Sequence, residues 1–432
     1  MRTAPLIACA LAACAVPVRP AARIAEVAAP AGCRQLAAGA DVRAAAAVPG
    51  AVLCLAPGDY RGPIVLATGA VLWGPRDARI TRPEGGNVVE VGAGAAVLGV
   101  TVSGAGGVFD RQDAAIRVAG DGARVEGTTV VDAVFGILAE RIKGAQIIGN
   151  DVHGGREAAI SLRGDTIRLW ETQDSTIAGN VVDGGRDVVV WYSSGNQVLD
   201  NHITGGRYGA HLMYSHHNLI ARNRFVADVV GVFVMYSHDI DLDGNVVIDA
   251  GGAAGMGIGL KDSGNVRVAD NALVRDHTCL YLDQTPLQRG HTLTVTGNLL
   301  GQCDTAIMFH ASAHDGTFTD NDFLDDTAAV RVDGGGDASG EAWHDNYWDD
   351  YTGYDLDGDD RGDLPYALRS FEADLVDRTP ALAFFHGTPA LGMADLVTRL
   401  VPMAPPRTLL VDPSPRMAGK PWQVREEDFR AD

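Results

Sequence analysis

Lysine is almost missing from this 432-residue chain, which carries it only at Lys143, Lys261 and Lys420. With 35 basic against 55 acidic side chains, the formal net charge is -20. Such a surface repels nucleic acid, acidic polysaccharide and anionic lipid, and no nucleic-acid partner is expected. The same shortage of cations disfavours elimination from a uronate, which needs a base and positive subsites. Long apolar runs are scarce too. The opening MRTAPLIACALAACAV is too short to stay in a bilayer as a span.

That opening has one early Arg, an apolar run and then small residues, the pattern of an export signal. Leu11-Ala12-Ala13-Cys14 resembles a bacterial lipobox, which would lipidate Cys14. The other reading is an ordinary signal cut in the Ala/Pro-rich stretch before Ala31, discarding Cys9 and Cys14. Either way the protein leaves the cytoplasm, into a compartment where a disulfide between Cys33 and Cys54 is the expected state. Cys279 and Cys303 lie on successive repeats about three positions out of register, so pairing them would need a backbone shift, and whether they are free or bridged stays open.

What the chain has in quantity is repetition. Met213-Tyr214-Ser215-His216 recurs as Met235-Tyr236-Ser237-His238, and Trp191-Tyr192-Ser193 holds the same register one repeat upstream. Short β-branched runs alternate with Gly, Pro and Asn turns, and asparagines recur at Asn150, Asn180, Asn201, Asn223, Asn245, Asn271, Asn298, Asn321 and Asn346. Stacked asparagines hydrogen-bond along a column and tolerate left-handed turns. Short strands and tight turns at this period predict an all-β right-handed parallel β-helix, one long unit rather than several domains.

The expected organisation is an export signal and linker over 1–30, the β-helix with an N-terminal cap over 31–348, an Asp-rich loop over 349–370, and a C-terminal helical segment with a Pro-rich tail over 371–432. The cap, from Cys33 to about Asp59, covers the open end and its strand edges. In the loop, Asp355, Asp357, Asp359 and Asp363 have the spacing with which calcium loops gather oxygen ligands, a structural calcium; a solvated acidic turn is the plain alternative. Apolar residues between Phe371 and Met403 suggest one or two amphipathic helices capping the last coil or docking on a partner. The tail from Pro402 has little to fold around and is expected to be extended or mobile.

Period two assigns the faces. Ala210, Leu212, Val232 and Val234 point inward, as do Leu280, Leu282, Ile307 and Phe309. Trp191, Met213 and Met235 form an outward column beside Val189, His211 and Phe233. His216 and His238 stack at the next corner; Cys279, Tyr281, Asp283, Met308 and His310 are expected outside. Neighbouring coils lie about 4.8 Å apart, a span that one metal ion bridges. Thioether with imidazole selects copper before zinc. His211, Met213, His216, Met235, His238, Met308 and His310 are therefore candidate copper ligands. The same columns, with Trp191, Tyr192, Tyr214, Phe233 and Tyr236 exposed, also read as a protein-docking face. For carbohydrate hydrolysis, Asp113, Asp165, Glu171 and Asp187 are the candidate carboxylates. No general base beside a polar cleft accompanies them, so no catalytic residue is assigned and a carbohydrate-binding or carbohydrate-degrading protein stays the alternative.

Several of these motifs together resemble one family. Arg163-Gly164-Asp165 with Leu169-Trp170, Arg186-Asp187 before Tyr192-Ser193, Arg207-Tyr208-Gly209 leading into His211 and Met213-Tyr214-Ser215, Val230-Gly231 before Met235-Tyr236-Ser237, Lys261-Asp262-Ser263, and Asn346-Tyr347-Trp348 through Asp363-Leu364-Pro365-Tyr366 resemble the NosD family, from about Cys33 to Pro415. The resemblance implies a non-enzymatic periplasmic β-helix protein for maturation of the copper enzyme nitrous oxide reductase. It implies an ABC-type membrane permease with its cytoplasmic ATPase as partner, and a copper-chaperone lipoprotein as donor. The product would be the reductase's copper-sulfur centre.

Overall fold

The computed structural model describes 24 and 26–370, apart from 156, 158, 312–313 and 334–335, together with 407–422 and the isolated positions 379, 382, 388, 393 and 397. The expected export signal with Cys14, and most of the expected C-terminal helical segment, lie outside the described residues.

Parallel strands of mostly three to six residues follow one another around three sheets, of 14, 12 and 13 strands, and after the first strand, Arg34–Leu36, which pairs with the next one, each strand pairs with the third one before and after it. One coil is therefore one turn through all three sheets, a right-handed parallel β-helix. The inward set is as the alternation demands. Ala210, Val232, Ile258, Leu280 and Ile307 stack in one column and Leu212, Val234, Leu260, Leu282 and Phe309 in the next. These residues are almost completely excluded from solvent. Burying each such side chain contributes roughly 1.5 to 3 kcal/mol. At the N-terminal end Arg43–Ala46 is a short helix whose Ala46 closes the first coil, and Cys33 and Cys54 are bridged with Cα atoms 5.6 Å apart.

Polar columns hold the corners. Every asparagine of the ladder is buried, and Asn223 is typical. Its Nδ2 donates to Val198 O and to Asn245 Oδ1, while its Oδ1 accepts from the amide and the Nδ2 of Asn201. A second ladder, not foreseen, runs through the repeated tetrapeptide. The amides of Thr172, Ser193, Ser215 and Ser237 donate to the hydroxyls of Ser193, Ser215, Ser237 and Ser263 in turn. The serine of Met-Tyr-Ser-His is thus a structural rung. A third column alternates acceptor and donor: the amides of Gly206, Ala250 and Cys303 donate to Asp228, Asp276 and Asp326.

That third column corrects the reading of the cysteines. Cys279 and Cys303 form a disulfide with Cα atoms 6.0 Å apart, and Cys279 is buried, not outside. Corner side chains of this column reach under the second residue of the strand one coil earlier. A Cβ placed on Gly209 would lie 2.9 Å from Asp228 Oδ2, and one on Gly257 would lie 2.5 Å from Asp276 Oδ2. Cys279 and Cys303 occupy the next such pair of positions, so the offset in register is the geometry of the corner and no backbone shift is needed.

The tail also departs from expectation. Arg407–Asp412 pairs antiparallel with Tyr366–Ser370 across the last coil, and Leu409 and Leu410 are buried there. Asp412 Oδ2 accepts from the amide and Nδ2 of Asn346 and from Trp348 Nε1. A carboxylate with no donor of its own thereby ends the asparagine ladder.

Asp326 makes the acidic column pH-sensitive. Burial, partly offset by the Cys303 amide, pushes its carboxyl up to about 8. The residue keeps some exposed surface, but its Oδ2 is buried without a partner. With the folded value above the unfolded one, its contribution is complete below about pH 4 and is lost as pH rises towards 8. Asp326→Asn should therefore leave the melting temperature at pH 4 nearly unchanged and raise stability at pH 8 by about 1–3 kcal/mol after solvent screening. Parallel melting curves at the two pH values check this.

Candidate metal centre

The outer face of the 12-stranded sheet carries two side-chain columns. Trp170, Trp191, Met213, Met235, Lys261 and Asp283 are successive partners in one. In the other, Arg168, Val189, His211, Phe233, Gly259, Tyr281 and Met308 succeed one another. Met213 and Met235 are direct neighbours, both half-buried, and His211 stands beside Met213 on the same strand, Tyr208–Met213. Lys261, paired with Asp283 through its Nζ, ends the thioether column on one side and Trp191 ends it on the other.

His211 faces outward yet is only 5% exposed. Its ring sits among Tyr208 at 4.6 Å, Trp191 at 5.2 Å and Phe233 at 6.3 Å between centroids. Neither imidazole nitrogen has a hydrogen-bond partner, and Asp187 Oδ2 lies 4.0 Å from Nδ1. Burial, then the charges of Arg207 and Arg186, push its pKa down to about 3. The imidazole is therefore neutral across the physiological range, with a lone pair in an apolar cage and a thioether two residues away. Leaving both nitrogens of a buried imidazole unpaired is costly, of the order of 1–3 kcal/mol per group. A soft metal ion is one ligand that would satisfy the nitrogen that carries the lone pair.

The expected copper donors do not form one cluster. Met308 lies four coils from His211 in the same column, and three coil steps separate Met235 from the His310 level. At about 4.8 Å per coil neither is within reach of the Met213–Met235 pair. His216 and His238 stack at 3.8 Å between ring centroids, as their period predicts, but at the corner past the tyrosines.

The expected docking residues divide likewise. Tyr192, Tyr214 and Tyr236 stack at 5.4 and 4.9 Å, each with a left-handed backbone, φ near 50°. Non-glycine residues adopt that conformation at a cost of roughly 1–2 kcal/mol. Tyr192 and Tyr214 remain 44% exposed. Trp191 and Phe233 instead cover His211. Phe233 lies over Gly259, where a Cβ would come within 2.5 Å of its ring.

The four carboxylates considered for hydrolysis are each committed to arginine. Asp113 holds Arg111 at 2.7 Å, Glu171 holds Arg141 at 2.9 Å, Asp165 holds Arg186 at 2.7 Å and Arg168 at 3.3 Å, and Asp187 holds Arg207. In the acidic loop Asp355, Asp357 and Asp359 bring carboxylate oxygens within 4.8 Å of one another. The charge of Asp359, before any other cause, pushes the Asp357 carboxyl up. Asp363 turns its carboxylate to the Leu356 amide, 2.6 Å away.

Residues 143–353 match the family model described as periplasmic copper-binding protein, NosD. No curated protein matches the chain. Among solved structures, the catalytic unit of a GH87 α-1,3-glucanase from Streptomyces thermodiastaticus aligns with a TM-score of 0.52 at 14% identity, covering 76% of this chain and 68% of that one. The A-module of the mannuronan C-5 epimerase AlgE6 from Azotobacter vinelandii gives 0.46 at 13%, over 65% and 87%. A polygalacturonase from Erwinia carotovora gives 0.45 at 10%, over 72% and 96%. At these identities the likeness is one of fold alone. The matched stretch holds the methionine, tyrosine and serine columns, and over it the chain matches the NosD family of periplasmic copper-binding proteins.

Proposed function

We propose that this protein is a non-catalytic periplasmic carrier of copper(I) in the maturation of nitrous oxide reductase. Exported by its N-terminal signal, it would take the ion from a copper-chaperone lipoprotein and act on an ABC-type permease with its ATPase. The ion, or sulfur with it, would go to the copper-sulfur centre of the reductase. The observation that carries this reading is the placing of Met213 over Met235 beside the unpaired, neutral His211. Two thioethers and an imidazole favour a soft monovalent ion over calcium, magnesium or zinc. The half-buried column leaves one side open for transfer. The exposed tyrosines beside it offer a docking edge of rigid, amphipathic rings.

Copper(I) titration against a competing chelator tests it. Binding of one ion is expected, weakened at least about tenfold, or ~1.4 kcal/mol, in a Met213→Leu, Met235→Leu double variant. Unchanged affinity in that variant would overturn the assignment. A glycan screen should find no depolymerisation. For the Asp355, Asp357 and Asp359 loop we propose structural calcium. Added calcium should raise the melting temperature and chelator should lower it; a curve indifferent to both excludes the ion.

A further inference from the structure

The corner beyond the tyrosine column gathers a second donor set, made of nitrogen and oxygen rather than sulfur. His217 and Asp239 hold the same left-handed corner position in successive coils, with φ of 56° and 59°, and Asn265 follows them at 49°. Successive residues at one corner position project side by side from a fixed backbone. His238 Nδ1 lies 2.7 Å from Asp239 Oδ2, and His217 Nδ1 approaches that same oxygen at 3.4 Å. One donor atom from each of the three residues lies within 4.8 Å of the others.

We propose that His217, His238 and Asp239 form a binding site for a divalent transition ion of borderline character, zinc(II) or copper(II), distinct from the thioether column. An ordinary His–Asp pair accounts for one imidazole on the carboxylate, but not for two converging on a single oxygen. Bonds of about 2.0–2.2 Å in a tetrahedral site set donors roughly 3.3–3.6 Å apart; the His217 contact of 3.4 Å has that length, and the His238 contact of 2.7 Å reaches it by opening less than about 1 Å. Neighbouring side chains hold the ligands in orientation. Asn265 Nδ2 donates to the other Asp239 oxygen at 3.0 Å, and the Asn265 side-chain carbonyl is itself fixed by the Thr292 amide at 3.2 Å. His216 stacks on the His238 ring at 3.8 Å, and its Nδ1 accepts from the His238 amide at 3.2 Å. The His217 side chain is 65% exposed, so the fourth position opens to solvent. A net charge of -20 raises the local concentration of cations around it.

The site needs no sulfur ligand, and its existence does not depend on the copper(I) reading. Asparagine tolerates the left-handed corner, so His217→Asn and Asp239→Asn remove a strong ligand each without straining the backbone. Cobalt(II) is titrated into the full chain and followed by its visible absorption, with zinc(II) as competitor. Tetrahedral cobalt bands displaced by one equivalent of zinc(II) are expected. Affinity should fall at least about tenfold in either single variant and be lost in the pair. The Met213→Leu, Met235→Leu variant should bind cobalt(II) as the parent does. Absence of the bands together with absence of zinc(II) heat in calorimetry, or equal binding by the His217→Asn, Asp239→Asn pair, would overturn the proposal. Neither outcome touches copper(I) binding, which the methionine variant reads separately.

Discussion

Asn223→Ala is expected to destabilise the protein by about 3–5 kcal/mol. The side chain makes four hydrogen bonds in a buried corner, two as donor and two as acceptor. Removing it strands the Val198 carbonyl and the Asn201 amide without their ladder partners. Each stranded group costs about 1–3 kcal/mol, because no water reaches the corner to replace the lost bond. A cavity adds to this. Asn245 keeps the Asn223 amide at its Oδ1, so the damage is confined to one coil interface. Asn223→Asp is expected to be less harmful at low pH, since it restores the acceptor but not both donors. The protein itself uses aspartate only where the ladder stops, at Asp412, where no further coil asks for a donor. Urea unfolding of the variants checks the order; an Asn223→Ala loss below about 1 kcal/mol would mean that the ladder is ornamental.

Much of this was readable from the chain. Period two assigns Ala210, Leu212, Val232 and Val234 to the interior, and the recurring Met-Tyr-Ser-His places Met213 on Met235 and His216 on His238, because a coil of fixed path puts equal positions in line. What escaped depends on corners, where alternation does not apply. Cys279 reads as outward by period two, yet the corner one coil later turns the Cys303 side chain beneath that residue, as Asp276 turns beneath Gly257. Asp412 joins a column whose last asparagine lies 66 residues earlier, a relation that no local pattern encodes. His211 is outward by period and buried in fact, because Tyr208, Trp191 and Phe233 close over it. His217 and Asp239 sit at left-handed corner positions that the sequence marks only by an unlikely residue type. The candidate site was thus legible as a column and illegible as an environment.

Asp187→Ala is expected to cost about 3–5 kcal/mol and to weaken copper(I) binding as well. A register shift between Asp187 and Val189 turns the Asp187 carboxylate out of the strand sequence and under the arginines. It receives Nε of Arg207 at 3.0 Å together with Arg207 Nη2, accepts the Tyr208 amide at 3.2 Å and lies 3.5 Å from Arg186 Nε. Burial pushes its carboxyl up, Arg207 pulls it back, and the charge of Asp165 adds to the rise. Truncation would leave Arg207, only 33% exposed, without its main counter-charge, and the Tyr208 amide with only its longer bond to the Arg186 carbonyl at 3.4 Å. The energy is that of an unpaired charge, more than the net worth of the pair. The same carboxylate is the negative group nearest His211 Nδ1, at 4.0 Å. Without it Arg207 presents uncompensated positive charge to any cation held by the imidazole and the two thioethers, while Arg186 keeps Asp165 at 2.7 Å. Asp187→Asn keeps the shape and an acceptor but loses the charge, so it should recover part of the stability and little of the affinity. Both variants recovering full copper(I) affinity while losing stability would separate the arginine network from the metal and place His211 outside the binding set.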